Sequence, residues 1–452
     1  LSGVCGEDTI APIFTLVVGE AEVALAMGLD PLAAVAGITV AVVGACVLVY
    51  SIDYMADVET PDLRRFFALM NLFMAGMLAV VLAADSVLLF LGWELMGLCS
   101  FFLIAYYVTS PRAIAAGRKA FIITRVADAA LLAGLLLLFL EAGTIRLDTL
   151  IPAGAAAEDG LRSLMAALLV VGALGKSAQL PFQTWLPTAM AGPTPVSALL
   201  HSATMVAAGA FLLARFEPIF ATTPTVTAVM AIAGVATAAF GATCAIAQTD
   251  VKRLLAYSSI SQIGFMVLAV GIGAPAVAMA HFVVHAAFKS LLFMSGGVMA
   301  HAAHGDTSIE GLAGSRRRTP VAFWTFTAGA AALAGLPLVT AGWWSKEALL
   351  TATFGAGTLG VVLYVAAVAA AVLTGAYAFR PVFVAARAGD HADPGYVPHW
   401  DRGDEEMHEG IATILPLVFL AALSLFGGLG LGPIVHLLGG ELPHPTLSKE
   451  IV

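Results

Sequence analysis

The sequence predicts an all-α polytopic membrane protein of about twelve transmembrane helices, with one further broken or re-entrant segment. Three observations carry this. The 452 residues are 60% hydrophobic and only 11% charged, against roughly 25% charged in a soluble domain. The apolar residues fall in runs of about 20, the length that crosses a bilayer as a helix. Basic residues gather in alternate loops, the pattern that orients such helices.

The expected spans are 29–52, 65–84, 86–108, 113–141, 161–181, 193–217, 224–247, 254–273, 275–301, 319–338, 357–387 and 411–438. A shorter apolar piece at 341–354, in "GLPLVTAGWWSKEALL", reads as half of a broken helix or as a re-entrant segment. Residues 1–28 hold Glu7, Asp8, Glu20 and Glu22 and read as an extramembrane lead-in with a short strand. Residues 29–438 form one transmembrane domain, with halves at about 65–217 and 224–387, and 439–452 is a tail. Abundant glycine (45 residues) suits close helix packing in lipid.

Arg64 and Arg65, Arg112 and Arg118, Lys252 and Arg253, and Arg316 to Arg318 mark alternate loops. The intervening loops are neutral or acidic, so the basic loops are placed inside and the N-terminus outside an inner-type membrane. Residues 389–410, "GDHADPGYVPHWDRGDEEMHEG", are acidic and His-rich yet fall on the inner side. Acidic residues count little in that rule, and the segment reads as a solvated loop. The net charge of -9 and the lack of a basic run exclude nucleic acid as a partner. Cys5, Cys46, Cys99 and Cys244 show no paired spacing, which implies neither a disulfide framework nor a metal cluster. The chain begins at Leu1 without a basic region and short apolar core, so no signal peptide is expected and a fragment is. "GGLGLG" at 427–432 lies in an apolar span with no preceding strand and is not a dinucleotide loop.

Ionisable residues inside apolar spans carry the chemistry. Lys176, Lys289 and Lys346 lie in or beside such spans. Glu94 sits in "LLFLGWELMGLCSFFLIAYY", and Asp128 follows Arg125 by three in "AFIITRVADAALLAGLLLLF". Each charge at mid-membrane costs about 2.5–3.5 kcal/mol on insertion scales, so four cost about 10 kcal/mol unless ion pairs, water or neutralisation offset them. Bland readings stand beside the functional ones. Lys346 follows Trp343 and Trp344 and can snorkel to the interface. Glu94 can form a structural salt bridge, and Arg125 can pair with Asp128 on its own helix. His281, His285 and Lys289 recur every four residues in "HFVVHAAFKSLLFM" and fall along one helix face. A metal reading of H-x-x-x-H lacks the glutamate that follows the first histidine of a metalloprotease, and Phe282 stands there instead. His301 and His304 lie at the helix end without supporting ligands. A proton path fits better, because histidine titrates near neutrality. Pro181, after Lys176, and Pro337, before Lys346, mark two helix breaks. Paired breaks in corresponding positions point to an ion transporter built of inverted repeats.

At these residues the chain resembles the antiporter-like membrane subunits of respiratory complex I, shared with Mrp-type cation/proton antiporters and membrane-bound hydrogenases. The resemblance runs from about residue 28 to 430. It rests on "FLGWELMGLCSFFLIAYY", "AFIITRVADAALL", "GKSAQLPFQTWLPTAMAGPTPVSALLHSATMV", "DVKRLLAYSSISQIGFM", "HAAFKSLLFMSGGVMAH" and "GLPLVTAGWWSKEALL", in family order. "TRVAD" and "GLCS" look most like the large L-type subunit. The resemblance implies two inverted five-helix repeats, each with a discontinuous helix. It implies proton-transfer roles for Glu94, for Asp128, for Lys176 paired with Glu94, for His201 as a bridge, for His281, His285 and Lys289 as the central relay, and for Lys346 as the terminal lysine. Arg125 and Asp250 are expected as supporting ion pairs. L-type subunits continue into a lateral helix and carry further N-terminal helices, so a fragment or a shorter relative is expected.

The implied function is proton translocation within a complex I-type NADH:quinone oxidoreductase, with other membrane subunits and a peripheral redox module as partners and no cofactor or metal in this chain. Alternatives are sodium/proton antiport and the membrane subunit of a hydrogenase or inorganic-carbon transport complex. An alternative of another class is a non-transporting scaffold for a soluble enzyme.

Overall fold

The computed structural model describes residues 10–18, 21–387 and 410–441. Strands β1 (Ile10–Val18) and β2 (Ala21–Gly28) form an antiparallel hairpin where one short strand is expected. The hairpin docks on the helices: the Ala26 amide donates to Asp85 Oδ2 at 2.8 Å, and Met27 bridges to Ala83.

Among the described residues, every regular element after the hairpin is helical. In order these are α1 (Pro31–Tyr54), α2 (Thr60–Leu82), α3 (Ser86–Ile104), α4 (Pro111–Ala142), α5 (Leu147–Ala156), α6 (Asp159–Lys176), α7 (Thr194–Ser202), α8 (Met205–Arg215) and α9 (Glu217–Phe220). Then come α10 (Pro224–Ile246), α11 (Val251–Gly271), α12 (Pro275–His301), α13 (Ser315–Arg318), α14 (Pro320–Ala334), α15 (Ala341–Phe354), α16 (Gly357–Ala386), α17 (Ile411–Phe426) and α18 (Leu431–Leu437). The segment expected at 389–410 and the tail 439–452 lie outside the described residues, save Gly410 and residues 439–441, as does Cys5.

The helix starts are legible in the sequence. Proline occupies the first turn of α1, α2, α4, α10, α12 and α14, where its missing N–H costs nothing. Asp30, Asp85, Ser110 and Asp250 cap α1, α3, α4 and α11 with side-chain oxygens. Asp250, expected in an ion pair, thus works as a cap: it accepts from the Arg253 amide at 2.8 Å and from the Thr307 hydroxyl.

Ten segments among the described residues are long and apolar enough to cross a membrane, with α7–α8 and α17–α18 each counted as one. The other two expected spans are interrupted. The span at 161–181 ends as a helix at Lys176, five residues before Pro181. The span at 319–338 ends at Ala334, where Gly335 (φ 76°) closes α14, and Pro337 lies beyond the cap. The short piece at 341–354 is α15, a separate helix. A third break, between α7 and α8, has no proline or glycine. There the hydroxyls of Ser202 and Thr204 donate to the Ala198 and Leu199 carbonyls. Such hydroxyls compete with the backbone pattern, and Thr204 leaves helical geometry at ψ -112°.

α7, α8, α11 and α12 form the buried centre, while α16 and α17 turn Val362, Val365, Val372, Leu415 and Val418 outward. α10 and α11 pack backbone to backbone. A Cβ added at Gly264 would lie 2.7 Å from Gly234 O, and one at Gly234 would lie 2.8 Å from Gly264 O. Small residues permit this approach in lipid. Overpacking typically costs 1–3 kcal/mol, so Gly264→Val is expected to lower stability by about 2 kcal/mol or more, read as a lower thermal midpoint in detergent.

On the hairpin side, Arg215 at the end of α8 pairs with Asp30. Burial opposes the Asp30 charge, but the Arg215 guanidinium and the Ala33 and Leu32 amides hold the carboxyl below its usual range. The stabilisation from this depressed value is present above about pH 4 and is lost as pH falls through the lower folded value. Arg215→Gln should therefore shrink the drop in thermal midpoint between pH 5 and pH 3, measured against the unaltered chain.

Candidate functional site

The predicted site residues sit on α3, α4, α6, α7, α12 and α15. Lys176, His201, His281, His285 and Lys289 are fully buried, Asp128 is 1% exposed and Lys346 is 6% exposed. Every one of these lies where an ion without a partner is costly, so the pairings decide what each does.

In the first half, two ion pairs cross between helices. Arg125 pairs with Glu94. Lys176 Nζ lies 3.2 Å from Asp128 Oδ2. Asp128 also accepts from Trp93 Nε1 at 2.6 Å, and the ammonium lies 5.2 Å from the Trp93 ring centroid. This corrects two expectations. Arg125 and Asp128 do not pair on α4, and Lys176 does not pair with Glu94. The reason is the neighbouring surfaces: Arg125 reaches α3 beside Glu94, while Asp128, one turn on, faces the end of α6. Gly97 of α3 leaves the room, since a Cβ there would sit 2.9 Å from Lys176 Nζ and 3.9 Å from Arg125 Nη2. The Glu94–Arg125 pair is partly exposed, at 20% and 39% of the side chains, at the flank of the molecule.

Beyond α6 the chain runs through Gln179, whose amide nitrogen donates to Ser177 O at 2.9 Å and to Ile260 O of α11 at 3.2 Å. The break after α6 is thereby tied to α11. His201, in the last turn of α7, packs its ring 5.0 Å from that of Phe293 on α12.

On α12, Lys289 donates to the Leu255 carbonyl at 3.4 Å and to the Ser258 hydroxyl. His285 Nδ1 lies 3.3 Å from Ser202 O, at the break between α7 and α8. His281 Nδ1 lies 2.9 Å from Ser345 Oγ of α15, and the two rings are 6.3 Å apart. Lys346, the next residue after Ser345, donates to the Leu333 carbonyl near the end of α14. It is not an interfacial lysine: its neighbour Trp344 reaches the surface, and its own side chain turns inward. The last carbonyls of an interrupted helix have no partner within it, and at the end of α14 the Lys346 amine takes one.

Several of these residues keep buried polar atoms without a protein partner: Glu94 Oε1, Gln179 Oε1, both ring nitrogens of His201, and Nε2 of His281 and His285. Gln262 and the Tyr377 hydroxyl lie near one another beside Ser258. Gln179, Ser258, Gln262 and Tyr377 are absent from the sequence-based set. The signal for Ser258 and Gln262 was the polar run "SSISQ" inside an apolar helix, and Gln179 and Tyr377 stand as single uncharged polar residues in "KSAQLPF" and "TGAYAF"; none carries a charge, so none raises a flag.

Comparisons with known proteins agree on one family. The family model described as NADH:quinone oxidoreductase/Mrp antiporter, TM, matches residues 83–374, and the one described as NADH-Ubiquinone oxidoreductase (complex I), chain 5 N-terminus, matches residues 16–67. NADH-quinone oxidoreductase subunit L of Escherichia coli (strain K12) is 42% identical over 98% of this chain and 70% of its own length. The protein of the same description from Mycobacterium tuberculosis (strain ATCC 25618 / H37Rv) is 39% identical over 96% of this chain and 66% of its own. Among solved structures, the Mrp complex from Dietzia sp. DQ12-45-1b superposes with a TM-score of 0.82 at 34% identity, covering 95% of this chain and 46% of that one. A chain of the membrane-bound sulfane sulfur reductase, an archaeal respiratory membrane complex, shares the fold at a TM-score of 0.79 and 24% identity, over 92% of this chain and 82% of that one.

The enclosed Asp128–Lys176 pair yields a stability test. Removing one partner of a buried pair strands the other and typically costs about 3–5 kcal/mol. Asp128→Asn should cost that order in thermal denaturation, and Asp128→Asn with Lys176→Met should recover more than half.

Proposed function

The chain belongs to the antiporter-like membrane subunits common to NADH:quinone oxidoreductase and Mrp antiporters, and from that premise we propose that it moves protons across the membrane along its buried polar axis. The observation that carries the proposal is the succession of enclosed ionisable side chains from Lys176 through His201, Lys289, His285 and His281 to Lys346, accompanied by polar atoms that protein does not satisfy. Buried polar atoms of this kind are met by ordered water, and water between imidazoles and amines conducts protons.

The relay works by charge. Two unit charges about 8 Å apart at an effective dielectric of ~20 interact by about 2 kcal/mol, enough to shift a proton between neighbouring sites. When Asp128 loosens from Lys176, the ammonium loses its counterion and its proton passes by the Gln179 side to His201 and on to Lys289. Lys289, held by Ser258 and the Leu255 carbonyl, passes it past His285 and His281 to Ser345 and Lys346, where it leaves. Glu94 and Arg125 at the flank are the pair through which a neighbouring membrane subunit acts on Asp128. Energy comes from a redox module elsewhere in a multi-subunit complex, and this chain carries no cofactor of its own. The basic loops mark the inner side, with the N-terminus outside.

Sodium/proton exchange on the same scaffold is the second reading. The likeness to the Dietzia Mrp complex favours it, and a transport rate that follows external sodium at fixed pH would select it. For the proton reading, Lys289→Ala in the assembled complex should cut NADH-driven proton uptake by membrane vesicles by about a hundredfold with assembly unchanged on native gels. Full uptake in that variant would refute the central relay.

A further inference from the structure

α7 carries Thr194, Ser197 and His201 at spacings of three and four, which places them on one helix face. All three are buried. At the deep end, neither ring nitrogen of His201 has a protein partner. At the other end, the Thr194 hydroxyl meets the Tyr54 hydroxyl at 2.8 Å. Tyr54 closes α1. Its ring stacks on Tyr50 at 5.2 Å and meets the His301 ring edge-on at 5.5 Å. Tyr50 donates to the Met294 carbonyl at 3.0 Å. Gly297 of α12 opens the space, since a Cβ there would lie 3.0 Å from the Tyr50 hydroxyl. Exposure rises along this line: His201 is fully buried, Tyr54 and His301 are half-buried and His304 is exposed. The exposed end is the basic end of the bundle, where α1 and α12 finish and α7 begins, next to α13, which holds Arg316 to Arg318.

We propose that Tyr54, Thr194 and His301 form the inner port of the relay, the route by which protons pass between the basic face and His201. The inference rests on the relay proposed above and names the side chains that feed it. A hydroxyl both donates and accepts, so each oxygen takes a proton on one side as it releases the one it held on the other. His301 takes a proton from solvent at the mouth, and one proton arrives at an open nitrogen of His201. No electron moves and no bond other than those to the transferred protons changes. Ser197 lines the middle of the face, and Tyr50 positions Tyr54 by stacking.

The test uses NADH-driven proton uptake in vesicles that hold the assembled complex. Tyr54→Phe keeps both ring contacts and deletes only the hydroxyl. Thr194→Val keeps the volume, and Thr194→Ser restores the hydroxyl. Tyr54→Phe and Thr194→Val should each slow uptake roughly tenfold or more, and Thr194→Ser should return it near the original rate. A rescue by serine separates proton conduction from packing. Equal uptake by Thr194→Ser and Thr194→Val overturns the port, and this comparison stands even if Tyr54→Phe fails to assemble. Unchanged uptake in both hydroxyl deletions beside a dead Lys289→Ala overturns the port alone. Unchanged uptake in all of them overturns the port and the relay together.

Discussion

The Asp128–Lys176 contact is the constraint on which the arrangement depends. An ammonium at the end of α6, sealed from solvent, is tolerable only with its counterion beside it. Placing Asp128 there fixes much else. Trp93 must donate to the second carboxylate oxygen, Gly97 must lack a side chain, and α3, α4 and α6 must converge at one depth. Buried pairs add little to net stability. This one therefore adds little to holding the helices together, and in the proposed relay it keeps a proton under the control of a neighbour.

The interruptions serve the same end. An unbroken helix has no spare acceptors in its middle, because each carbonyl is taken four residues on. Stopping α14 at Ala334 frees the Leu333 carbonyl for Lys346, and stopping α7 at Ser202 frees a carbonyl for His285. The breaks are thus sources of hydrogen-bond acceptors at a depth where water is scarce. Non-helical backbone survives at membrane depth only where protein or a wet cavity covers it, and the break after α7 meets that condition, with Ala203 and Thr204 buried.

Much of the fold was legible because bilayer-length apolar runs leave few alternatives, and α15 has the bounds that its apolar run suggests. The ends of α6 and α14 were readable only approximately, since proline forbids continuation but does not say where the helix stops. The break at Thr204 was unreadable: serine and threonine within an apolar run are compatible with a helix, and only their contacts decide. Site residues stood out where charge met apolar surroundings, as at Glu94, Lys176 and Lys289. Their partners did not. The three-residue spacing of Arg125 and Asp128 suggested one pair on one helix, whereas neighbouring helices drew the two side chains apart. Gln179, Gln262 and Tyr377 were missed because uncharged polar residues carry no comparable penalty in a sequence.

The bond between His285 Nδ1 and the Ser202 carbonyl settles which nitrogen bears hydrogen, since a carbonyl only accepts. The opposite nitrogen is then the sole open face of the ring. A proton arriving there cannot continue through the imidazole until the carbonyl is let go. In the proposed relay His285 is therefore a turnstile: it admits from one side, and each onward passage requires the Ser202 carbonyl at the α7 break to yield.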